Sequence, residues 1–370
     1  MDRRRFFGRS VIGAMGLGLA PGLQPPQHAQ NGARNAAQDA AAQQTGGTHS
    51  DLPPRFRPTA YAFPRSGYGP FAATDYYLFA DDLVIERNRA GKPHQAKVLA
   101  AIQAHSDDIT LFAGGTVAKL IDEGYTGYLI RISNDESSGT TLGHGVVQNE
   151  TDTQEAGKAL GCKKVYSFYY RNHRMDDCAI IELRARLIFL FRWLRVNTIV
   201  AMDPYNQYDE NPDHIVAGKA VEGACWMSGG AKDYPEHYKA GLKPASVHEK
   251  YYFSRAPQGH HLTNRIVDIS SYIDAKVRSN VANRGKGPAG SNGSRLRRQL
   301  ASQGRKLPLL GNDDDTADLG YVKQFLMEDW RRMGAMFGGL EYAEAFRYIG
   351  PEPVYRDNIT KYVDEHSTPL

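Results

Sequence analysis

The chain is short of cysteine, of long apolar runs and of charge bias, and each shortage removes a class of protein. Cys162, Cys178 and Cys225 are the only three cysteines in 370 residues. They are odd in number and lack metal-ligand spacing, so they read as mostly buried, unpaired thiols with room for one disulfide at most. One mild apolar run near the start, Val11 to Ala20, is broken by glycines and too short to cross a bilayer. No stable membrane anchor is therefore expected once that segment is removed. The formal net charge of +4 is concentrated at the beginning, where Arg3, Arg4, Arg5 and Arg9 stand against Asp2 and supply +3 of it. The remainder is nearly neutral and offers nothing to a nucleic acid. No internal repeat is visible, and no Gly-x-Gly-x-x-Gly follows the first expected strand, which argues against a dinucleotide cofactor.

What the N-terminus does contain is Arg3-Arg4-Arg5-Phe6-Phe7 followed directly by that apolar run, the order of a twin-arginine export signal. Residues 1–30 are expected to be this signal, which implies a periplasmic or secreted protein. Residues 31–90 read as a flexible spacer rich in Gln, Ala and Asn, followed by an arm rich in Pro and Tyr that packs on the main domain. The main domain is expected over 91–350, with a tail at 351–370. Within it, strands are expected at Val98–Ala104, Tyr128–Ser133, Lys164–Phe168 and Thr198–Met202. Helices are expected from Thr116 to Glu123, at Thr153–Leu160 and at Ile180–Leu194. This alternation predicts an α/β fold, a Rossmann-like, mostly parallel sheet flanked by helices. A basic stretch at about 279–317, with Arg284, Lys286, Arg295, Arg297, Arg298 and Arg305, reads as a long surface insertion; disorder and a role in holding an anionic substrate are the competing readings. Tyr321–Phe346 has the spacing of an amphipathic helix.

Two polar clusters stand where strands are expected to end. The first is Ala104-His105-Ser106-Asp107-Asp108, followed by Gly114-Gly115. His105 and Asp108 can point at one metal ion, leaving Asp107 for acid/base work; the competing reading is an Asp-rich helix cap. The second is Asn211-Pro212-Asp213-His214, just after the strand ending near Met202. In a parallel sheet the C-terminal ends of strands share one edge, so the clusters can meet there. Two histidines and one carboxylate with an open fourth position form the ligand set of a catalytic zinc site.

These motifs resemble the LmbE/PIG-L family of zinc-dependent N-acetylglucosaminyl deacetylases, whose patterns are Ala-His-Pro-Asp-Asp, a Gly-Gly pair, and His-Pro-Asp-His. Ser106 stands in place of the proline, and Asn211 in place of the first histidine. Weaker echoes are Glu155-Ala156 with Leu160-Gly161, Val267–Ser270 with Lys276, and Ala343–Phe346, so the likeness spans about 96–350. The resemblance implies His105, Asp108 and His214 as zinc ligands, Asp107 as general base and Asp213 as the partner of a ligand imidazole. It implies a glycan or other small-molecule substrate and a hydrolase that removes an acetyl group from an amino sugar or glycoconjugate, which the N-terminal signal would export. Asn211 occupies the catalytic position of a histidine that stabilises the oxyanion, and an asparagine cannot shuttle a proton. Either Asp107 makes all the proton transfers, or another residue stands in, with His144, His173, His260 and His261 as the candidates. Asp152 stands where many relatives have an arginine, and Arg171 and Asp177 are the candidate substrate contacts in its stead. Two other readings remain: a glycan-binding member without turnover, and an exported cofactor-dependent oxidoreductase. No oligomeric state is implied.

Overall fold

A computed structural model describes residues 83–138, 142–205, 209–255, 263–350 and 355–369. The expected export signal and most of the spacer and arm lie outside the described residues, as do His260 and His261.

Among the described residues, eight strands form one sheet: β1 (Val84–Glu86), β2 (Val98–Gln103), β3 (Thr126–Ser133), β4 (Lys164–Tyr170), β5 (Thr198–Met202), β6 (Glu249–Phe253), β7 (Arg265–Asp268) and β8 (Ala343–Ile349), in the order β1-β7-β8-β6-β5-β2-β3-β4. Only β8 runs against its neighbours, pairing antiparallel with both β6 and β7. The fold is thus the expected mostly parallel sheet flanked by helices. Ala100, Ala101 and Val200 are fully buried at its centre, the continuous apolar pattern of strands covered on both faces. From β2 the chain builds outward through β3 to β4, then returns to place β5 on the other side of β2. The order reverses between β2 and β5, and the carboxyl ends of those strands form the crevice where such sheets bind ligands.

The helices on the described chain are α1 (Asp108–Phe112), α2 (Gly114–Asp122), α3 (Leu142–Ala159), α4 (Ile180–Leu194), α5 (Pro212–Ser228), α6 (Pro235–Lys239), α7 (Ile273–Ala282), α8 (Asn292–Ser302), α9 (Asp314–Tyr321), α10 (Glu328–Met336) and α11 (Tyr355–His366). Several differ from expectation. The first crossover helix is two, broken at Ala113 (φ −141°), so the His-Ser-Asp-Asp run leads straight into α1. α3 begins eleven residues before Thr153, at Leu142; its Gly, Gln and Asn content hides it from propensity, and packing on α7 overrides that weakness. The basic stretch 279–317 is largely helical rather than disordered: it holds the end of α7, then α8 and the first half of α9. Tyr321–Phe346 is not one helix, because its last residues enter the sheet as β8. The arm contributes one strand, β1, which pairs with β7. All three cysteines are free.

The Gly114-Gly115 pair has a packing cause. A Cβ on Gly115 would sit 2.7 Å from the Ile269 side chain. The same close approach lets Glu344 accept from the Gly115 and Thr116 N–H groups at 3.0 and 2.8 Å, satisfying orphan donors at the start of α2. Lys276 completes this support: its ammonium lies 2.6 Å from Glu344 and donates to the Leu111 carbonyl at 2.6 Å and the Thr110 carbonyl at 3.2 Å. The scattered echoes around Gly114, Ile269, Lys276 and Glu344 are therefore one buried brace under α1.

Candidate metal centre

β2 ends at Gln103, and two residues later His105 is turned inward, 1 % exposed. β5 ends at Met202, and α5 begins with Asn211 as its cap and His214 in its first turn. The two imidazoles meet with His105 Nδ1 and His214 Nε2 3.0 Å apart. Asp108 closes the triangle, with Oδ1 3.3 Å from His214 Nε2 and Oδ2 3.6 Å from His105 Nδ1. One ligand atom from each of the three lies within 4.8 Å of the others, and all three residues are buried.

The outer ring nitrogens decide what the inner ones can do. His105 Nε2–H donates to Asp213 Oδ2 at 2.9 Å, and His214 Nδ1–H donates to Asp209 Oδ2 at 2.7 Å. Each inner nitrogen of a neutral ring is then a lone pair. Two lone pairs and a carboxylate facing one another in a buried space require a cation between them. The spacings match the edges of a tetrahedron with metal–ligand bonds of about 2.0–2.2 Å. Two imidazoles and one carboxylate are a donor set suited to zinc, so the residues fit a divalent metal.

The electrostatics agree. Burial would raise Asp108, but the charges of His214 and His105 hold it well below the ordinary carboxylate range. Burial likewise opposes charge on His214, yet Asp108 and then Asp209 push it up to about 9. Without a metal, a proton takes the cation's place. Asp213 is drawn down to about 2 against its burial, by the His105 hydrogen bond first, then by the His173 and Met175 N–H groups at 2.7 and 3.2 Å.

Asp107 lies beside this cluster. It occupies the N-cap of α1, yet its side chain makes no capping hydrogen bond, so the helix-cap reading does not describe it. Its carboxylate is 14 % exposed and 3.5 Å from Lys286 Nζ. Asn211 does cap: its Oδ1 accepts from Asp213 N–H at 3.1 Å, which commits that oxygen to the helix. Arg171 points outward to Glu136 at 2.9 Å, and Asp177 is exposed at the end of a short 3-10 turn. Their loop reaches the site through other atoms, since Asn172 Nδ2 donates to Asp213 at 3.2 Å alongside His173 N–H. The His173 ring stands edge-on to His105, 6.0 Å between centroids, while His144 is exposed on α3. A cleft of about 320 Å³ between Asp203, Tyr205, Ile215 and Lys219 reaches Asp209 and His214.

Three residues escaped the sequence reading. Asp209 had a faint signal, an acid five positions before His214. Asp135 stood in a polar loop after β3, and Lys286 was one basic residue among many. Nothing in the spacing of Asp135 or Lys286 marks them, because their meeting is purely tertiary.

Comparison with known proteins follows the same lines. A profile of the PIG-L family, described as GlcNAc-PI de-N-acetylase, matches residues 100–225. A diacetylchitobiose deacetylase of Thermococcus kodakarensis is 27 % identical over 192 residues, covering 50 % of this chain and 68 % of that one. The structure resembles N,N'-diacetylchitobiose deacetylase from Pyrococcus horikoshii with a TM-score of 0.54 at 21 % identity, covering 69 % of this chain and 84 % of that one. It also resembles GalB, the 4-carboxy-2-hydroxymuconate hydratase from Pseudomonas putida KT2440, with a TM-score of 0.51 at 17 % identity, covering 70 % and 98 %. One scaffold therefore carries both a deacetylase and a hydratase, and the fold alone does not name a reaction. The matched segment holds both clusters, His105–Asp108 and Asn211–His214, and the chain carries a PIG-L (LmbE) family domain.

Proposed function

We propose that the protein is a zinc-dependent deacetylase that hydrolyses the N-acetyl group of an amino sugar or glycoconjugate, acting after export. The observation that carries this reading is the convergence of two imidazole lone pairs and the Asp108 carboxylate, with the uncapped Asp107 beside them. The family match and the deacetylase relatives supply the substrate class, and the Arg3–Phe7 order supports export. His105, Asp108 and His214 would hold a divalent ion, which would supply Lewis acidity, lowering the pKa of water toward ~7 and polarising the amide carbonyl.

The residues do the rest. Asp107 accepts the proton of the attacking water as the C–O bond forms. As the C–N bond breaks, the same carboxyl delivers that proton to the leaving nitrogen, giving acetate and a free amine. Asp213 and Asp209 hold the two imidazoles in the tautomers that face inward. Asn211 supplies no proton, so Asp107 makes both transfers.

Acetate release from N-acetylated amino sugars, diacetylchitobiose among them, tests the reading. Purified protein should release acetate, lose that activity on chelation and regain it with zinc. Absence of release from every acetylated sugar, with glycans still bound, would instead establish a binding member without turnover.

A further inference from the structure

The segment from Asn283 to Gly287, between α7 and α8, lies outside the 100–225 match and outside every motif quoted above, yet it lies against Asp107. Asn283 Nδ2 donates to Thr110 Oγ1 on α1 at 2.8 Å, and Gly285 N–H donates to Asp152 Oδ2 at 2.6 Å. At Gly287, φ is +80°, and a Cβ there would stand 3.1 Å from Asp107 Oδ2. Between these anchors Lys286 extends inward, its side chain 4 % exposed, with Nζ hydrogen-bonded to Asp135 and 3.5 Å from Asp107 Oδ1.

Asp135 is built to hold that ammonium. It is fully buried, and its second oxygen accepts from Ser106 N–H at 2.9 Å. A proline at position 106, as in the family pattern, has no N–H to give. Burial would raise the Asp135 carboxyl, but Lys286 first, then His105 and Arg131, keeps it below its ordinary value. Arg131 also pairs with Glu150, which leaves Lys286 as the cation in contact with both Asp135 and Asp107. The chain's departures at Ser106 and Asn211 thus accompany a lysine delivered from a segment with no motif.

We propose that Lys286 is a positioning residue for deacetylation, holding the Asp107 carboxylate in the one orientation from which it serves both proton transfers. The inference rests on the deacetylase reading above. With no imidazole at 211, one carboxylate must reach first the water and then the leaving nitrogen, and its freedom to rotate costs rate directly. Asp107 has no capping bond to fix it; the Lys286 ammonium, 3.5 Å from its Oδ1, does so instead. Lys286 keeps its proton throughout, and no bond to it forms or breaks.

The test uses the full chain with Lys286→Met, Lys286→Arg, and Lys286→Met combined with Asp135→Asn, which removes the buried anion that the first change strands. Lys286→Met should lower kcat about 10–100-fold, the usual scale for a partner that orients a reacting group. KM and bound metal should stay near wild type, and Lys286→Arg should recover part of the loss. The double variant should melt close to wild type with kcat still low. In metal-free protein, the shift in Tm caused by Asp107→Asn should shrink or vanish in the Lys286→Met background. Wild-type kcat in the double variant, or an undiminished Asp107→Asn shift, overturns the proposal. A wild type that releases no acetate sinks the deacetylase reading instead, and this role for Lys286 with it.

Discussion

At the scale of single residues, the site is a set of imidazoles whose orientation is decided from behind. Asp213 accepts from His105, Asn172 and the backbone of His173 and Met175, so its carboxylate is both ionised and immobile. Asparagine at 213 keeps the shape but lets the His105 ring adopt the other tautomer or flip. Asp213→Asn should therefore weaken metal binding about 10–100-fold, read by competition with a chromogenic chelator; unchanged affinity would mean that Asp213 is not what aims His105. His105, Asp108 and His214 were legible in the sequence because motif spacing and strand ends are local facts. Asp209 was nearly so. Lys286 and Asp135 were not, since 151 residues separate them and neither sits in a pattern that chemistry alone would pick out.

At the scale of elements, α1 is only five residues long, too short to hold itself in water, yet it carries Asp108 as its first residue and follows directly on Asp107. With no side-chain cap at Asp107, its stability is tertiary. Lys276 donates to the carbonyls of Thr110 and Leu111, and Glu344 ties that lysine to the start of α2. Both side chains of the pair are fully buried. Lys276→Met leaves Glu344 charged in the core and should cost about 3–5 kcal/mol, whereas Lys276→Met with Glu344→Gln should cost clearly less. Denaturant melts of the three variants decide this, and equal losses in the single and double variants would contradict a buried ion pair as the brace. The same brace explains where sequence reading failed. Ala343–Phe346 has the composition of a helix end, but β8 is fixed as a strand by pairing with β6 and β7. Periodicity cannot report a pairing with strands this distant in sequence, such as Asp268 with Ala343 or Lys250 with Ile349.

At the scale of the whole molecule, β8 joins the parallel strands that carry the site to the β1–β7 edge, and Glu249 secures that junction. It accepts from Tyr348 on β8 at 2.8 Å and from Tyr125 at 3.0 Å, with Lys97 3.3 Å away. Burial would raise Glu249, but the Tyr348 hydrogen bond, Lys97 and Tyr125 bring it below its ordinary value of 4.5. A carboxyl lowered on folding stabilises fully above its unfolded pKa, and loses that contribution as pH falls through the folded pKa. Glu249→Gln should therefore be less stable near neutrality, and the gap to wild type should close on acidification below about pH 4.5; a constant gap across pH 7 to 3 would contradict the assignment. The alternation of strands and helices made the parallel sheet legible, while the helices of 279–317 were hidden by Gly and Arg content that resembles a loop. The most direct test of the account as a whole is Asp107→Asn, assayed for bound metal and acetate release on the same preparation. The account predicts about one metal per chain in both proteins and a fall in kcat of about 10²–10⁴-fold in the variant. Full turnover in Asp107→Asn, or a wild type that binds no divalent metal, would contradict it.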